Sequence, residues 1–165
     1  MHSAAEFAVI PIPQTVKRTA GCFIVKPTTA LCAADRERAA AWHLQARFEK
    51  AAGMHLHWSE ERGQNAILFT TDEKRSDLVG EAYCLKVTPE RVEICANAPS
   101  GHFYGVQTFL QLLPPEIYSS TTVDHVLWQV PCLEIFDAPK YGWRSFMLDS
   151  GRQFQSVDFI KRYLD

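Results

Sequence analysis

The chain has 165 residues, 17 Lys and Arg against 19 Asp and Glu for a net charge of −2, and 47% apolar residues. That length suits one domain and little more at roughly 100–200 residues each, and it buries a core without help from a metal or disulfide. The charge balance excludes a nucleic-acid binder working by bulk charge, no apolar run nears the ~18 residues of a membrane span, and the N-terminus MHSAAEFAVIPIP lacks the basic start of a signal peptide.

Phe7–Ile12 alternates weakly between prolines and reads as an edge strand or extended arm. Gly21–Val25 and Thr29–Cys32 are short strand candidates. A helix follows, with Asp35 as its N-cap. Ala41, Leu44, Phe48 and Ala51 recur at helical spacing, and Gly53 stands where a left-handed C-terminal residue is wanted. Met54–Trp58 and Ala66–Thr70 read as strands on either side of the polar turn Glu60–Asn65.

Ala82–Val87 and Arg91–Asn97 read as a hairpin around Pro89-Glu90. A two-residue loop there makes Leu85 face Ile94 and Val87 face Val92. On the other side Lys86 meets Glu93, and Cys84 meets Cys95 either as two thiols or as a disulfide. A second helix is expected after Ser100, with Phe103, Val106, Leu110 and Leu113 as its apolar stripe and Pro114-Pro115 as its stop. Gly105 inside it costs about 1 kcal/mol against Ala, which a close approach to the sheet would explain. After a loop over Glu116–Asp124, Val126–Val130 and Leu133–Phe136 read as two strands. This order gives an α+β fold, a sheet layered with helices on one face. The five cysteines have no CxxC spacing and are expected to be buried, reduced and apolar in role.

Trp143–Asp149 (WRSFMLD) reads as a buried strand, followed by a helix opened by Ser156. Asp158 lies in its first turn, Ile160, Tyr163 and Leu164 on its apolar side, and Lys161 and Arg162 near its end. One strand and one helix cannot bury their apolar faces alone. The chain is therefore expected to be a fragment. Residues from Tyr141 onward are expected to be mobile, folded back on the preceding domain, or self-associated with another copy.

Two stretches, EAYCLKV…RVEICANAPSGHFYGVQTFLQLLP (Glu81–Pro114) and VPCLEIFDAPKYGWRSFMLDSGRQF (Val130–Phe154), carry a family resemblance. The combination GxFYGxQT followed by DxPxxxWRxxMLD resembles the β-N-acetylhexosaminidases of glycoside hydrolase family 20. The resemblance implies that residues 1–138 are that family's non-catalytic, zincin-like accessory α/β domain. Residues 139–165 would then be the first βα unit of its (β/α)₈ barrel. It implies an enzyme removing terminal β-linked N-acetylglucosamine or N-acetylgalactosamine from glycans, without a cofactor. The substrate's own acetamido oxygen attacks the anomeric carbon to give an oxazolinium, an exception to the two-carboxylate scheme. The family's Asp-Glu pair, the assisting Asp and the general acid Glu, finds no match in these 165 residues, so no catalytic residue is assigned and the chain by itself is expected to be inactive. A secreted, periplasmic or lysosomal setting is implied for the parent protein.

Arg144 matches the family's Arg that holds hydroxyls of the terminal sugar, a role suited to a guanidinium fork. Strand alternation would turn Arg144, Phe146 and Leu148 toward the barrel interior. Asp149 and Arg152 match a D-x-x-R expected to be a salt-bridged pair shaping the first βα loop. Ser145 and Gln153 depart from the family's usual Gly and His. Glu60-Glu61 and Asp72-Glu73 lie beside Arg62 and Lys74-Arg75 and read as solvated loops. His55 and His57 share a strand face without further ligands, since His43 and His102 are distant and no HExxH occurs, so no metal is expected. His102 and Tyr104 read as helix–sheet packing. Trp42, Trp58, Trp128 and Trp143 sit on separate elements and read as core or interface packing rather than a sugar platform. The competing reading is a stand-alone carbohydrate-binding or interaction module. A different enzyme sharing the accessory domain is opposed by MLDSGRQF.

Overall fold

A computed structural model describes residues 9–164. Seven strands form one sheet: β1 (Thr15–Ile24), β2 (Ala30–Cys32), β3 (His57–Trp58), β4 (Ala66–Thr70), β5 (Tyr83–Val87), β6 (Arg91–Cys95) and β7 (Gln129–Asp137). Their spatial order is β1-β7-β5-β6-β4-β2-β3. The β1, β7, β5 and β6 neighbours pair antiparallel, whereas β6, β4, β2 and β3 run parallel. Helices α1 (Arg38–Ala52) and α2 (Pro99–Leu112) join these strands, and α3 (Val157–Leu164) follows the sheet.

The alternation of the strands decides which face the helices cover. Ile67 and Phe69 of β4, Leu85 and Val87 of β5, and Val92 and Ile94 of β6 join Leu44 and Phe48 of α1 and Phe109 and Leu110 of α2 in one core. On the other face β4 offers only Ala66 and Leu68, which make a small cluster with Cys32. The expected α+β sheet with helices on one face is what folds.

The hairpin register is the one the sequence dictates: Cys84↔Cys95, Leu85↔Ile94, Lys86↔Glu93 and Val87↔Val92. Lys86, however, gives its ion pair to Glu134 of β7 at 2.7 Å. A central strand has two neighbours, and the pairing of Lys86 with Glu134 across β5 and β7 is only visible once the sheet order is known. Gly53 closes α1 with φ 63°, its N–H donating to the Glu49 carbonyl at 3.1 Å and the next N–H, of Met54, to the Phe48 carbonyl at 3.2 Å. The α1 N-cap is Glu37 rather than Asp35, which instead pairs with Arg38 at 3.2 Å.

Other expectations are corrected. The α2 stripe does not run through Phe103, which is 41% exposed. The face against the sheet is Gly101, His102, Gly105, Val106, Phe109 and Leu110. A Cβ on Gly105 would stand 2.5 Å from Ile94 Cγ2, and one on Gly101 2.5 Å from the Ala82 carbonyl oxygen. The glycines, not the largest apolar residues, mark the closest approach. β1 begins at Thr15, six residues before the expected strand, because its first half is a solvated edge without alternation. Its pairing with β7 is interrupted between Arg18 and Cys22, where Gly21 takes φ 102°. The two expected strands around Pro131 are one strand, β7. Pro131 faces Cys22 at that irregularity and lies beyond the stretch paired with β5, so its missing N–H costs no central ladder bond. Of the Met54–Trp58 strand only His57–Trp58 pairs.

Of the Phe7–Ile12 arm, Phe7 and Ala8 lie outside the described residues. Val9 is buried, and the Ile10 N–H and carbonyl both bond to Gln111 of α2, at 2.8 and 3.0 Å. The Glu116–Asp124 loop begins in a 3₁₀ turn, Pro115–Tyr118. Cys32 and Cys132 are buried, but Cys22 is exposed and Cys84 and Cys95 are half-buried; all five are free. The largest departure is the tail. No strand forms over Trp143–Asp149, and Trp143, Met147 and Phe154 are exposed. A strand needs a neighbour to take its backbone groups, and none of the seven described strands lies beside this segment. Without a strand, the alternation placing Arg144, Phe146 and Leu148 on one face does not arise. Helix α3 does form where expected, with Ser156 Oγ accepting the Phe159 N–H at 3.2 Å.

Candidate functional site

Arg144 sits in the irregular segment between β7 and α3 and is folded back on the α/β body. Its Nη1 donates to the Tyr141 carbonyl at 2.7 Å, and its Nη2 to the Glu81 carboxylate and, at 3.4 Å, to the Tyr104 hydroxyl. The guanidinium carbon lies 5.7 Å from the centre of the Tyr104 ring, within cation–π range. The contacts with Glu81 and Tyr104 hold the charged form, raising the Arg144 pKa further. Here Arg144 is an anchor for the tail. Glu81 and Tyr104 are partners that sequence reading missed; Tyr104 falls outside the buried face of α2 only once the glycines set the orientation of that helix.

Asp149 turns the next loop. Its Oδ1 accepts the Gly151 and Arg152 N–H groups at 3.0 and 3.2 Å, and its Oδ2 lies 3.5 Å from Arg152 Nε. The pair is solvent-exposed and shapes a turn rather than a pocket. Arg144 does not touch it.

The tryptophans do not assemble into a platform. Trp128 is buried edge-on against Phe48, Trp42 meets Trp58 edge-on at 6.5 Å, and Trp143 stands apart in solvent. His55 is tied to Glu49 at 2.5 Å and to Gln45 at 2.8 Å. The Glu60-Glu61 and Asp72-Glu73 pairs are exposed.

Buried polar groups meet between the two helix N-termini, at the carboxyl end of β4. His102 Nε2 donates to the Thr70 carbonyl at 2.8 Å, since a carbonyl only accepts. Thr71 Oγ1 donates to Glu37 Oε1 at 2.8 Å. Tyr83, Thr108 and Asp137 form a second buried link among β5, α2 and β7, the phenol lying 2.5 Å from the Thr108 hydroxyl and 3.3 Å from Asp137. Burial pushes the Tyr83 phenol up. Burial lowers the His102 pKa below its ordinary 6.5, against the opposing pull of the Thr70 carbonyl and the Glu37 carboxylate. The unfolded chain therefore takes up a proton before the folded one does. Stability from this site is present above about pH 6.5 and lost as pH falls through the depressed value. The urea midpoint is expected to drop between pH 7.5 and 5.5, and to drop less in His102→Gln; an equal drop in both proteins would contradict this. Some slope remains in the variant, because burial and Arg47 lower His43 in the same direction.

The described residues thus form a mixed seven-stranded sheet with two helices on one face, followed by an irregular, aromatic-rich tail that Arg144 ties back to it. Residues 6–138 match the family model for glycosyl hydrolase family 20, domain 2. The chain belongs to glycosyl hydrolase family 20. It is 36% identical over 160 residues to a beta-hexosaminidase of Porphyromonas gingivalis, covering 95% of this chain and 20% of that protein. Among solved structures it is similar to the N-acetyl-beta-hexosaminidase of Streptomyces plicatus, in complex with Thio-NAglucal, with 34% identity, a TM-score of 0.82, and coverage of 94% of this chain and 31% of that one. The beta-N-acetylhexosaminidase of Bacteroides fragilis matches at 30% identity and a TM-score of 0.72, with 94% and 30% covered. The chain thus spans about a fifth to a third of the length of these relatives.

Proposed function

We propose that this chain is the accessory domain and first βα unit of a retaining exo-β-N-acetylhexosaminidase. That enzyme would release terminal N-acetylglucosamine or N-acetylgalactosamine from glycans by attack of the substrate's acetamido oxygen. The boundary falls near Ala138. The general acid Glu and the assisting Asp lie outside these residues, and the catalytic work belongs to the rest of the protein, which is secreted, periplasmic or lysosomal. Arg144 binds sugar hydroxyls once the barrel surrounds it, and Asp149 with Arg152 shapes the loop after the first barrel strand. The α/β domain has a structural role, covering the barrel and seating its first strand. In the isolated chain, the apolar surface of Trp143, Met147, Phe154 and Leu164 is available to a second copy instead.

The observation that carries this reading is the reach of the structural likeness. The match to the N-acetyl-beta-hexosaminidase covers 94% of the chain, which leaves too few residues uncovered for it to stop at residue 138. The experiment is a comparison of two lengths. The 165-residue chain is expected to release no nitrophenol from a chromogenic N-acetylglucosaminide. A chain extended to the length of its relatives is expected to release it. Hydrolysis by the 165-residue chain, or none by the extended one, overturns the proposal.

A further inference from the structure

The face of the sheet that the helices leave uncovered carries two thiols directly opposite one another. Cys84 of β5 and Cys95 of β6 are Cα partners, both free and both half-buried. The Thr88 N–H donates to the Arg91 carbonyl at 2.9 Å, so the pair nearest the turn is a hydrogen-bonded one. Counting in twos along the ladder, Cys84 and Cys95 are also a hydrogen-bonded pair, with Cα atoms about 5.5 Å apart. Disulfides occupy roughly 4.4–6.8 Å on that measure. Both thiols open on a concavity of about 420 Å³, where Arg62, Arg75 and Lys86 stand together with Asp72 and Glu93. Arg75 Nη2 donates to Cys84 Sγ at 3.2 Å, a contact that favours the thiolate, the form that attacks a disulfide.

We propose that Cys84 and Cys95 are a redox modification site, closing to a reversible disulfide across β5 and β6 by exchange with a small anionic disulfide such as oxidised glutathione. The Cys84 thiolate attacks one glutathione sulfur and releases the first glutathione as its thiolate. The Cys95 thiolate then attacks the Cys84 sulfur and releases the second. Two protein thiols are oxidised to one disulfide, one glutathione disulfide is reduced to two thiols, and the two cysteine protons end on the glutathiones. Arg62 gives the anionic reagent a counter-charge at the site, while Arg75 and Lys86 are paired with Asp77 and Glu134. Opposed Cβ atoms in a hydrogen-bonded pair stand wider apart than the ~3.8 Å of a relaxed bridge, so closure draws the strands inward on this face. Such a bridge is easily reduced. Burial raises the Cys84 pKa, with the Arg75 contact opposing it, so exchange is expected to quicken with rising pH.

The test incubates the 165-residue chain in glutathione buffers of increasing oxidised fraction, quenches by alkylation, and maps the digested peptides by mass. A Cys84–Cys95 cross-link, with the mass of two hydrogens lost, is expected at high oxidised fraction and is expected to vanish in excess reduced glutathione. In Cys95→Ser the cross-link is expected to give way to a glutathione adduct on Cys84. The exposed Cys22 serves as the internal control for simple adduct formation. Thiols at 84 and 95 that remain alkylatable in excess oxidised glutathione overturn the proposal. So do separate adducts on the two residues of the unsubstituted chain, or a bridge that maps to another pair.

Discussion

Gly101→Val is expected to be strongly destabilising, by about 3 kcal/mol or more. The position offers no space: an added Cβ meets the Ala82 carbonyl oxygen at 2.5 Å and the Ala96 methyl at 2.8 Å, and backbone cannot step aside as a side chain can. Overpacking a tight core costs about 1–3 kcal/mol, occasionally more. Valine adds two further methyls at the same contact, against a domain stability of order 5–15 kcal/mol. Gly105→Ala separates the two opposing effects. Ala gains about 1 kcal/mol in helix propensity over Gly, while its Cβ would sit 2.5 Å from Ile94 Cγ2, a side-chain atom with some freedom to turn. Net destabilisation of about 1–2 kcal/mol is expected for Gly105→Ala, and clearly more for Gly101→Val. Urea titration followed by circular dichroism distinguishes them. A Gly101→Val midpoint within error of the original would show that α2 does not press on the sheet as described.

In a chain extended through the whole barrel, Arg144→Ala is expected to lower kcat/KM on the order of 100-fold or more. Hydrogen bonds from a charged donor are worth roughly 1.5–3 kcal/mol each, and a guanidinium gripping two hydroxyls makes at least two. Arg144→Lys is not expected to rescue the loss, because an ammonium lacks the planar fork. The structure supplies a discriminating control, since Arg144 here holds Glu81. If Arg144 reaches sugar in the complete enzyme, Glu81→Gln should leave kcat/KM within about fivefold, the range of an exposed ion pair. If Glu81→Gln and Arg144→Ala cost the same, Arg144 serves the join between tail and domain and not the substrate.

What could be read from the sequence was local. The β5–β6 register followed from two facts about neighbours, the pleat's period of two and a two-residue loop, and the Gly53 cap followed from one residue's tolerance of positive φ. The orientation of α2 did not, because a stripe drawn through Phe103, Val106, Leu110 and Leu113 weighs side-chain size. The sheet selected the side where side chains are absent, at Gly101 and Gly105. The first half of β1 was illegible for another reason: Thr15–Gly21 has almost no buried residue, so pairing to β7 is its only strand signal. The role expected for Arg144 came only from family resemblance. Nothing in the spacing of Trp143–Arg152 announces Glu81, some 60 residues earlier, as the partner of Arg144.

Both margins of the sheet are poor templates for another strand. β1 brings Lys17 and Arg18 and then a kink at Gly21, and β3 at the opposite margin is two residues long. An approaching chain finds charge and a break on one side and too little backbone on the other. The domain is thereby insulated from runaway strand-by-strand growth into fibres. Its lasting partnerships must be made by side chains across surfaces.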